Sequence, residues 1–153
     1  MDAGRWVLLV AVVAVLAVIA WRAISDGRFR GTHRVRGGLA TRPSGPPRPP
    51  IESVLAGTAY DVDRGERATL LQFSSAFCAP CRAARRTLAD VAERVPGVTH
   101  VEVDAEGHLD LVRRLGILRT PTTLVLDADG REVTRATGAP RPGQVLAVLE
   151  QTV

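Results

Sequence analysis

Apolar residues are distributed differently in three consecutive parts of the chain. Residues 6–21 carry no polar side chain, whereas residues 25–50 are rich in Gly, Arg and Pro and show no apolar period. From Ile51 onward, short apolar runs alternate with segments of helical spacing and with turn residues, which is typical of a folded domain. The pattern therefore predicts an N-terminal anchor at 1–24, a linker at 25–50 and one domain at 51–153.

The pattern within the domain predicts alternating strands and helices. Short apolar or alternating runs bounded by turn residues predict strands at 69–73, 98–103, 123–126 and 131–136. Apolar residues at helical spacing predict helices at 79–95, 109–115 and 142–153. Residues 51–60 are weakly patterned and are compatible with an edge strand or a short helix. This order predicts an α/β fold, a mixed sheet with helices on both faces.

The N-terminal apolar stretch suggests a membrane contact. As a helix, its 16 residues from Trp6 to Trp21 would span roughly 24 Å, against ~30 Å for the hydrocarbon core of a bilayer. Residues 22–24 can lengthen it if the Arg22 side chain reaches the interface, and Trp at both ends suits the two interfaces. We therefore expect one transmembrane helix in contact with lipid. The alternatives are a signal peptide cleaved after residues 18–20 and a buried core helix.

Positive charge is concentrated directly after this stretch. Residues 22–50 carry seven Arg against one Asp, whereas residues 51–153 carry 12 Arg against 14 acidic residues. Because the folded part is mildly acidic, binding to nucleic acid is not expected. The Arg bias favours a single-pass protein of the cell membrane with its domain in the cytoplasm. An extracytoplasmic domain is the alternative, since a translocated domain can override a modest charge bias.

Two cysteines provide the candidate chemistry. Cys78 and Cys81 are the only cysteines in the chain, and they lie where the predicted strand at 69–73 gives way to the predicted helix at 79–95. A Cys-x-x-Cys pair in this context favours a reversible dithiol. The alternatives are a structural disulfide and half of a zinc site, although zinc normally needs four ligands.

No metal or other cofactor is expected. The chain has no second Cys-x-x-Cys, and no glycine-rich phosphate loop follows a predicted strand. We expect the scattered histidines to be solvated surface residues: His33, His100 and His108.

Three features resemble the thioredoxin family over residues 51–153. Residues 71–81 (Leu-Gln-Phe-Ser-Ser-Ala-Phe-Cys-Ala-Pro-Cys) are similar to the family's strand that leads into its active site. Residues 116–122 (Gly-Ile-Leu-Arg-Thr-Pro-Thr) resemble its loop ending in a cis-proline. Residues 127–130 (Asp-Ala-Asp-Gly), followed by Gly138, resemble its final hairpin. The resemblance implies a thioredoxin-like fold and a thiol–disulfide oxidoreductase.

The resemblance also implies roles for individual residues. Cys78, at a helix N-terminus that stabilises a thiolate, would attack a substrate disulfide, and Cys81 would then resolve the mixed disulfide. The helix arginines, Arg85 among them, are expected to be mostly solvated. The active site and its substrate groove are expected to include Phe77, Ala79, Pro80, Thr120 and Pro121, with a cis bond before Pro121.

Three positions depart from the family pattern. Ser74 and Phe77 stand where the family carries Trp, and Gln72 stands where many members carry a buried acid that takes the proton of the second cysteine. Because glutamine does not titrate, Cys81 must lose its proton to water or to another group. We expect slower resolution of mixed disulfides and a flatter pH dependence between about pH 6 and 9.

The sequence thus predicts a membrane-tethered oxidoreductase that uses the Cys-Ala-Pro-Cys dithiol to reduce or exchange disulfides in client proteins. The alternative is a thioredoxin-like module that binds peptides or senses redox state with little turnover. Electrons would come from a thioredoxin reductase on the cytoplasmic side, or from a membrane dithiol donor on the other side.

Overall fold

The computed structural model describes residues 3–25, 29–31 and 53–152. The helices in these ranges are α1 (Ala3–Ser25), α2 (Ala79–Arg94), α3 (Leu109–Arg114) and α4 (Pro142–Thr152), with a 3-10 helix at Ala59–Asp63. The strands are β1 (Phe29–Gly31), β2 (Ala68–Ser74), β3 (Val98–Asp104), β4 (Thr122–Asp127) and β5 (Glu132–Thr137).

The described strands form one mixed sheet in the order β1-β5-β4-β2-β3. β2 pairs parallel with β3 and antiparallel with β4, while β5 pairs antiparallel with both β4 and β1. All seven residues of β2 are buried. β2 is therefore the interior strand from which the chain enters α2.

Alternation along β2 divides the core between the two faces of the sheet. Leu71 packs with Leu111 of α3 on one face, and Leu70 packs with Leu88 of α2 and with α4 residues on the other. Gln72 follows the alternation of Leu70 and therefore lies on the α2 face. The mixed sheet with helices on both faces is as predicted.

The predicted elements from residue 69 onward are confirmed, and each boundary agrees to within one residue. The described part of the weakly patterned stretch 51–60 forms turns and the beginning of the 3-10 helix rather than a strand. Leu55 in this stretch is fully buried in the core on the α3 face. The segment therefore covers one face of the sheet instead of extending its edge.

β1 lies inside the stretch that the sequence predicts as a linker. It adds to the free edge of β5, with Phe29 opposite Ala136 and Gly31 opposite Thr134. A three-residue edge strand is held by backbone pairing, so it leaves no apolar period in a segment rich in Gly and Arg. The other predicted linker residues, 26–28 and 32–50, lie outside the described residues.

The N-terminal apolar stretch forms a helix, α1. Its described side chains, from Trp6 to Trp21, are all exposed. Within the part of the chain that the structure describes, no helix combines the length and apolarity needed to cross a membrane.

Candidate active site

Cys78 and Cys81 form a disulfide at the N-terminus of α2, with their Cα atoms 5.2 Å apart. Cys78 is the N-cap: its backbone is extended (φ −84°, ψ 99°), and its Sγ accepts the Cys81 amide hydrogen at 3.1 Å. Pro80 fits the first turn because it has no amide hydrogen to satisfy there. The Cys78 sulfur therefore lies at the positive end of the helix dipole, where a thiolate is stabilised.

The two sulfur-bearing residues differ in exposure. Cys81 is 3% exposed, whereas Cys78 is partly exposed and is followed by the exposed residues Ala79 and Pro80. A disulfide arriving from solvent therefore meets Cys78 first. Cys81 lies behind it, within bonding distance of the Cys78 sulfur. This geometry suits an attack by Cys78 followed by an attack of Cys81 on Cys78.

The loop that precedes β4 lies beside the end of β2. Its Thr120–Pro121 peptide bond is cis, as predicted. The hydroxyls of Thr120 and Ser75 are hydrogen-bonded at 2.8 Å, which ties this loop to the segment between β2 and Cys78. The Gly138 amide donates to the Pro121 carbonyl at 2.8 Å. The structure thus brings the predicted groove residues Thr120 and Pro121 to the same end of the sheet as the cysteine pair.

Phe77 combines a strained backbone with a fully exposed ring. Its φ is 58°, and its relative exposure is 101%. The left-handed region costs a residue with a Cβ roughly 1–2 kcal/mol, and this ring gains no burial that would offset the cost. The structure therefore presents an exposed aromatic ring next to Cys78.

Below the disulfide, the buried side chain of Gln72 is hydrogen-bonded at both ends of its amide. Nε2 donates to the Cys81 carbonyl oxygen at 3.0 Å and to Ser74 Oγ at 2.7 Å. A carbonyl oxygen only accepts, so the amide nitrogen must face Cys81 and Oε1 must face His100 Nε2, which is 3.1 Å away. His100 Nε2 therefore carries a hydrogen. Gln72 connects the second cysteine to β3.

The same network continues to the surface of α2. Ser74 Oγ donates to Glu102 Oε1 at 2.6 Å, and Arg85 Nε lies 2.6 Å from Glu102 Oε2. The expectation that His100 is a solvated surface residue is wrong, because β3 presents it to Gln72 in a partly buried position. Arg85 keeps a side-chain exposure of 59% but forms an ion pair rather than remaining simply solvated.

Burial and charge shift two pKa values in this network. Burial lowers the pKa of His100; the negative charge of Glu102 opposes this shift, and the positive charge of Arg85 adds to it. Burial alone raises the pKa of Glu102, but the hydrogen bonds from Arg85 and Ser74, together with nearby positive charge, outweigh burial and lower it. At neutral pH the network therefore holds a neutral imidazole beside an ionised carboxylate.

Sequence reasoning found Gln72 but missed its partners on β3. Polar residues at alternate positions of both strands provided a signal: Gln72 and Ser74 on β2, His100 and Glu102 on β3. Residues two apart on a strand share a face. The parallel register places Gln72 opposite Glu102, so both polar pairs lie under α2.

Comparison with known proteins identifies a family that this chain resembles. The model of the Thioredoxin-like domain family matches residues 62–152. Thioredoxin of Mycobacterium tuberculosis (strain CDC 1551 / Oshkosh) is 29% identical over 104 residues, which cover 67% of this chain and 89% of that protein. Thioredoxin H-type 1 of Nicotiana tabacum is 32% identical over 88 residues, which cover 58% of this chain and 65% of that protein.

Solved structures share the fold. Thioredoxin f from spinach chloroplast aligns with a TM-score of 0.54 at 23% identity, covering 63% of this chain and 87% of that one. Fasciola hepatica thioredoxin aligns with a TM-score of 0.53 at 22% identity, covering 61% of this chain and 88% of that one. These likenesses confirm the α/β fold that the sequence predicts for the domain.

The strain at Phe77 predicts a stability difference between two variants. Phe77→Gly removes the Cβ that disfavours the left-handed backbone, whereas Phe77→Ala removes the ring but keeps the Cβ. The glycine variant should therefore have a free energy of unfolding about 1 kcal/mol higher than the alanine variant. Denaturant unfolding of both proteins measures the difference. A more stable alanine variant would contradict a strained Phe77.

The lowered pKa of His100 predicts a pH-dependent stability. Below its ordinary pKa of about 6.5, the unfolded chain binds this proton more readily than the folded chain, so the free energy of unfolding should fall as the pH decreases. His100→Gln keeps a hydrogen-bond donor but cannot titrate, and should flatten the slope between about pH 7 and 5. This window lies above the range in which Glu102, whose pKa is also lowered, takes up its proton.

Unfolding at several pH values tests this expectation, with His108→Gln as the control at an exposed histidine. A slope that depends on His108 and not on His100 would contradict it.

Proposed function

The chain belongs to the thioredoxin-like domain family, and we propose that it reduces or exchanges disulfides in client proteins from a position at a membrane. It is a thiol–disulfide oxidoreductase, as its family and its bonded cysteine pair show. The unequal exposure of Cys78 and Cys81 at the start of α2 carries the proposal for how the pair acts.

In the reducing direction, the Cys78 thiolate attacks one sulfur of the client disulfide. A bond forms between Cys78 and that sulfur, the client's S–S bond breaks, and the other client sulfur leaves as a thiolate. Cys81 then loses its proton and attacks the Cys78 sulfur, which releases the second client thiolate. Two electrons pass to the client, and the pair ends in the disulfide state found in the structure.

Position 72 provides no carboxylate that could accept the proton released by Cys81. Gln72 holds Cys81 through its carbonyl oxygen, but the amide does not titrate. We assign the proton to water or to the departing client thiolate. This arrangement supports the slow resolution of the mixed disulfide that the sequence predicts.

Client segments would contact the exposed groups around Cys78. The Phe77 ring is fully exposed, and Leu118, in the loop that ends in the cis-proline, is 95% exposed. The hydrogen bond between Thr120 and Ser75 holds the loop of Leu118 against the segment that carries Phe77 and Cys78. The proposed groove therefore offers exposed apolar side chains on both segments to a client peptide.

The membrane position is proposed from α1. Its side chains from Trp6 to Trp21 are apolar and exposed, so contact with lipid would remove a large apolar surface from water. Trp at each end suits the membrane interfaces. The arginines after the helix favour a cytoplasmic domain supplied by a thioredoxin reductase, whereas a domain on the other face would need a membrane dithiol donor.

A second candidate function is a peptide-binding or redox-sensing module with little turnover. Gln72, at the position of the family's buried acid, favours it, because an amide at that position cannot accept the proton of Cys81 during resolution. The two candidates differ in whether the pair turns over.

Turnover on a disulfide-containing model protein separates the candidates. The full chain in detergent, supplied with a chemical reductant, should accelerate reduction of the model protein, and Cys78→Ser should abolish the acceleration. Cys81→Ser, reduced beforehand and then freed of reductant, should instead accumulate a mixed disulfide with the model protein that a small thiol cleaves. A wild-type chain that adds nothing to the reductant's own rate, with no adduct on Cys81→Ser, would favour the module.

A further inference from the structure

One row of paired residues crosses the sheet from its edge to the cysteine pair Cys78–Cys81, which we call the redox site. Phe29 of β1 lies opposite Ala136, Ala136 lies opposite Thr123, and Thr123 lies opposite Gln72. Neighbouring strands are about 4.8 Å apart, so the Cα atoms of Phe29 and Gln72 are separated by about 14 Å. The Gln72 side chain contacts the Cys81 carbonyl. Along the direction of the strands, the first residue of β1 therefore lies at about the same height as the cysteine pair.

The direction of β1 shows which end of the sheet its first residue occupies. β1 runs away from the redox end of the sheet, since Phe29 lies opposite Ala136 and Gly31 lies opposite Thr134. Two residues beyond Ala136, the Gly138 amide donates a hydrogen bond to the carbonyl of Pro121, the cis-proline. Phe29, the first residue of β1, therefore lies at the end of the sheet that carries the redox site.

The connection between α1 and β1 is short. α1 ends at Ser25 and β1 begins at Phe29. Four steps of about 3.8 Å between successive Cα atoms keep Ser25 within about 15 Å of Phe29. The end of α1 thus lies within about 30 Å of Gln72. A free linker over residues 25–50 would instead reach roughly 90 Å when extended.

We propose that the pairing of β1 with β5 holds the redox site at the membrane-proximal end of the domain, so that its clients are disulfides at the bilayer surface. This placement rests on the proposed membrane contact of α1. A disulfide anchored in the same bilayer would meet Cys78 at a high effective concentration, whereas a disulfide far above the surface would lie out of reach. The substrate class is therefore set by height above the membrane as well as by fit to the groove.

Two lipid-anchored probes test this with the full chain in phospholipid vesicles. One peptide carries an intramolecular disulfide directly at its lipid anchor, and the other carries the same peptide on a stalk of 20 prolines, about 60 Å long. The wild-type chain, with its cysteine pair reduced beforehand, should reduce the near peptide at least tenfold faster than the far one and be oxidised to the disulfide in doing so. The same peptide without an anchor reports the intrinsic activity of each variant.

A matched pair of insertions identifies the contribution of β1. A 20-residue Gly/Ser spacer placed after Asp26 lengthens the connection between α1 and β1, and should bring the near-to-far ratio close to one. The same spacer placed after Arg42 lengthens only the segment between β1 and the rest of the domain, and should leave the ratio unchanged.

The outcomes separate the two proposals. A wild-type ratio near one, or equal ratios for the two insertions, overturns the membrane-proximal placement while vesicle binding and activity stand. A chain that reduces the free peptide but does not float with vesicles overturns both the membrane contact and this placement. A chain that floats but reduces none of the peptides contradicts the proposed turnover instead, and with it the assignment of clients.

Discussion

The buried amide of Gln72 is the contact on which the position of the redox pair depends. Its two donor hydrogens go to the Cys81 carbonyl and to Ser74, and its oxygen accepts from His100. A buried polar group left without a partner costs about 1–3 kcal/mol, so β2, β3 and the first turn of α2 are held in one arrangement. The placement of the Cys78 sulfur at the helix N-terminus follows from that arrangement.

Gln72 fixes the position of Cys81 but cannot exchange a proton with it. The network below Cys81 presents a neutral amide, and its charged members, Glu102 and Arg85, are paired with each other nearer the surface. The reactivity of Cys78 is then governed by its own position, at the start of a helix and open to solvent. Cys81 is shielded by the fold and is available mainly to its partner sulfur.

Much of the fold could be predicted because burial on two sheet faces imposes a period on the sequence. The strand 69–73, the helix from Ala79 and the cis bond at Pro121 were all accessible from pattern or resemblance. The position of His100 could not be predicted, since polar residues at alternate positions of a strand give the same pattern whether they face water or a polar network under a helix. β1 could not be predicted either, because a short edge strand held by backbone pairing leaves no apolar period in the sequence. The anchor at 1–24 remains a prediction.

The central claim is that Cys78 is the accessible, thiolate-forming cysteine and Cys81 the shielded resolving one. Alkylation of the reduced full chain with limiting iodoacetamide, mapped by mass spectrometry at several pH values, tests it most directly. The account predicts that Cys78 is modified first, with a rate that rises around a pH below the ordinary thiol pKa of about 8.5, while Cys81 stays largely unmodified. Equal modification of both cysteines, or earlier modification of Cys81, would contradict it.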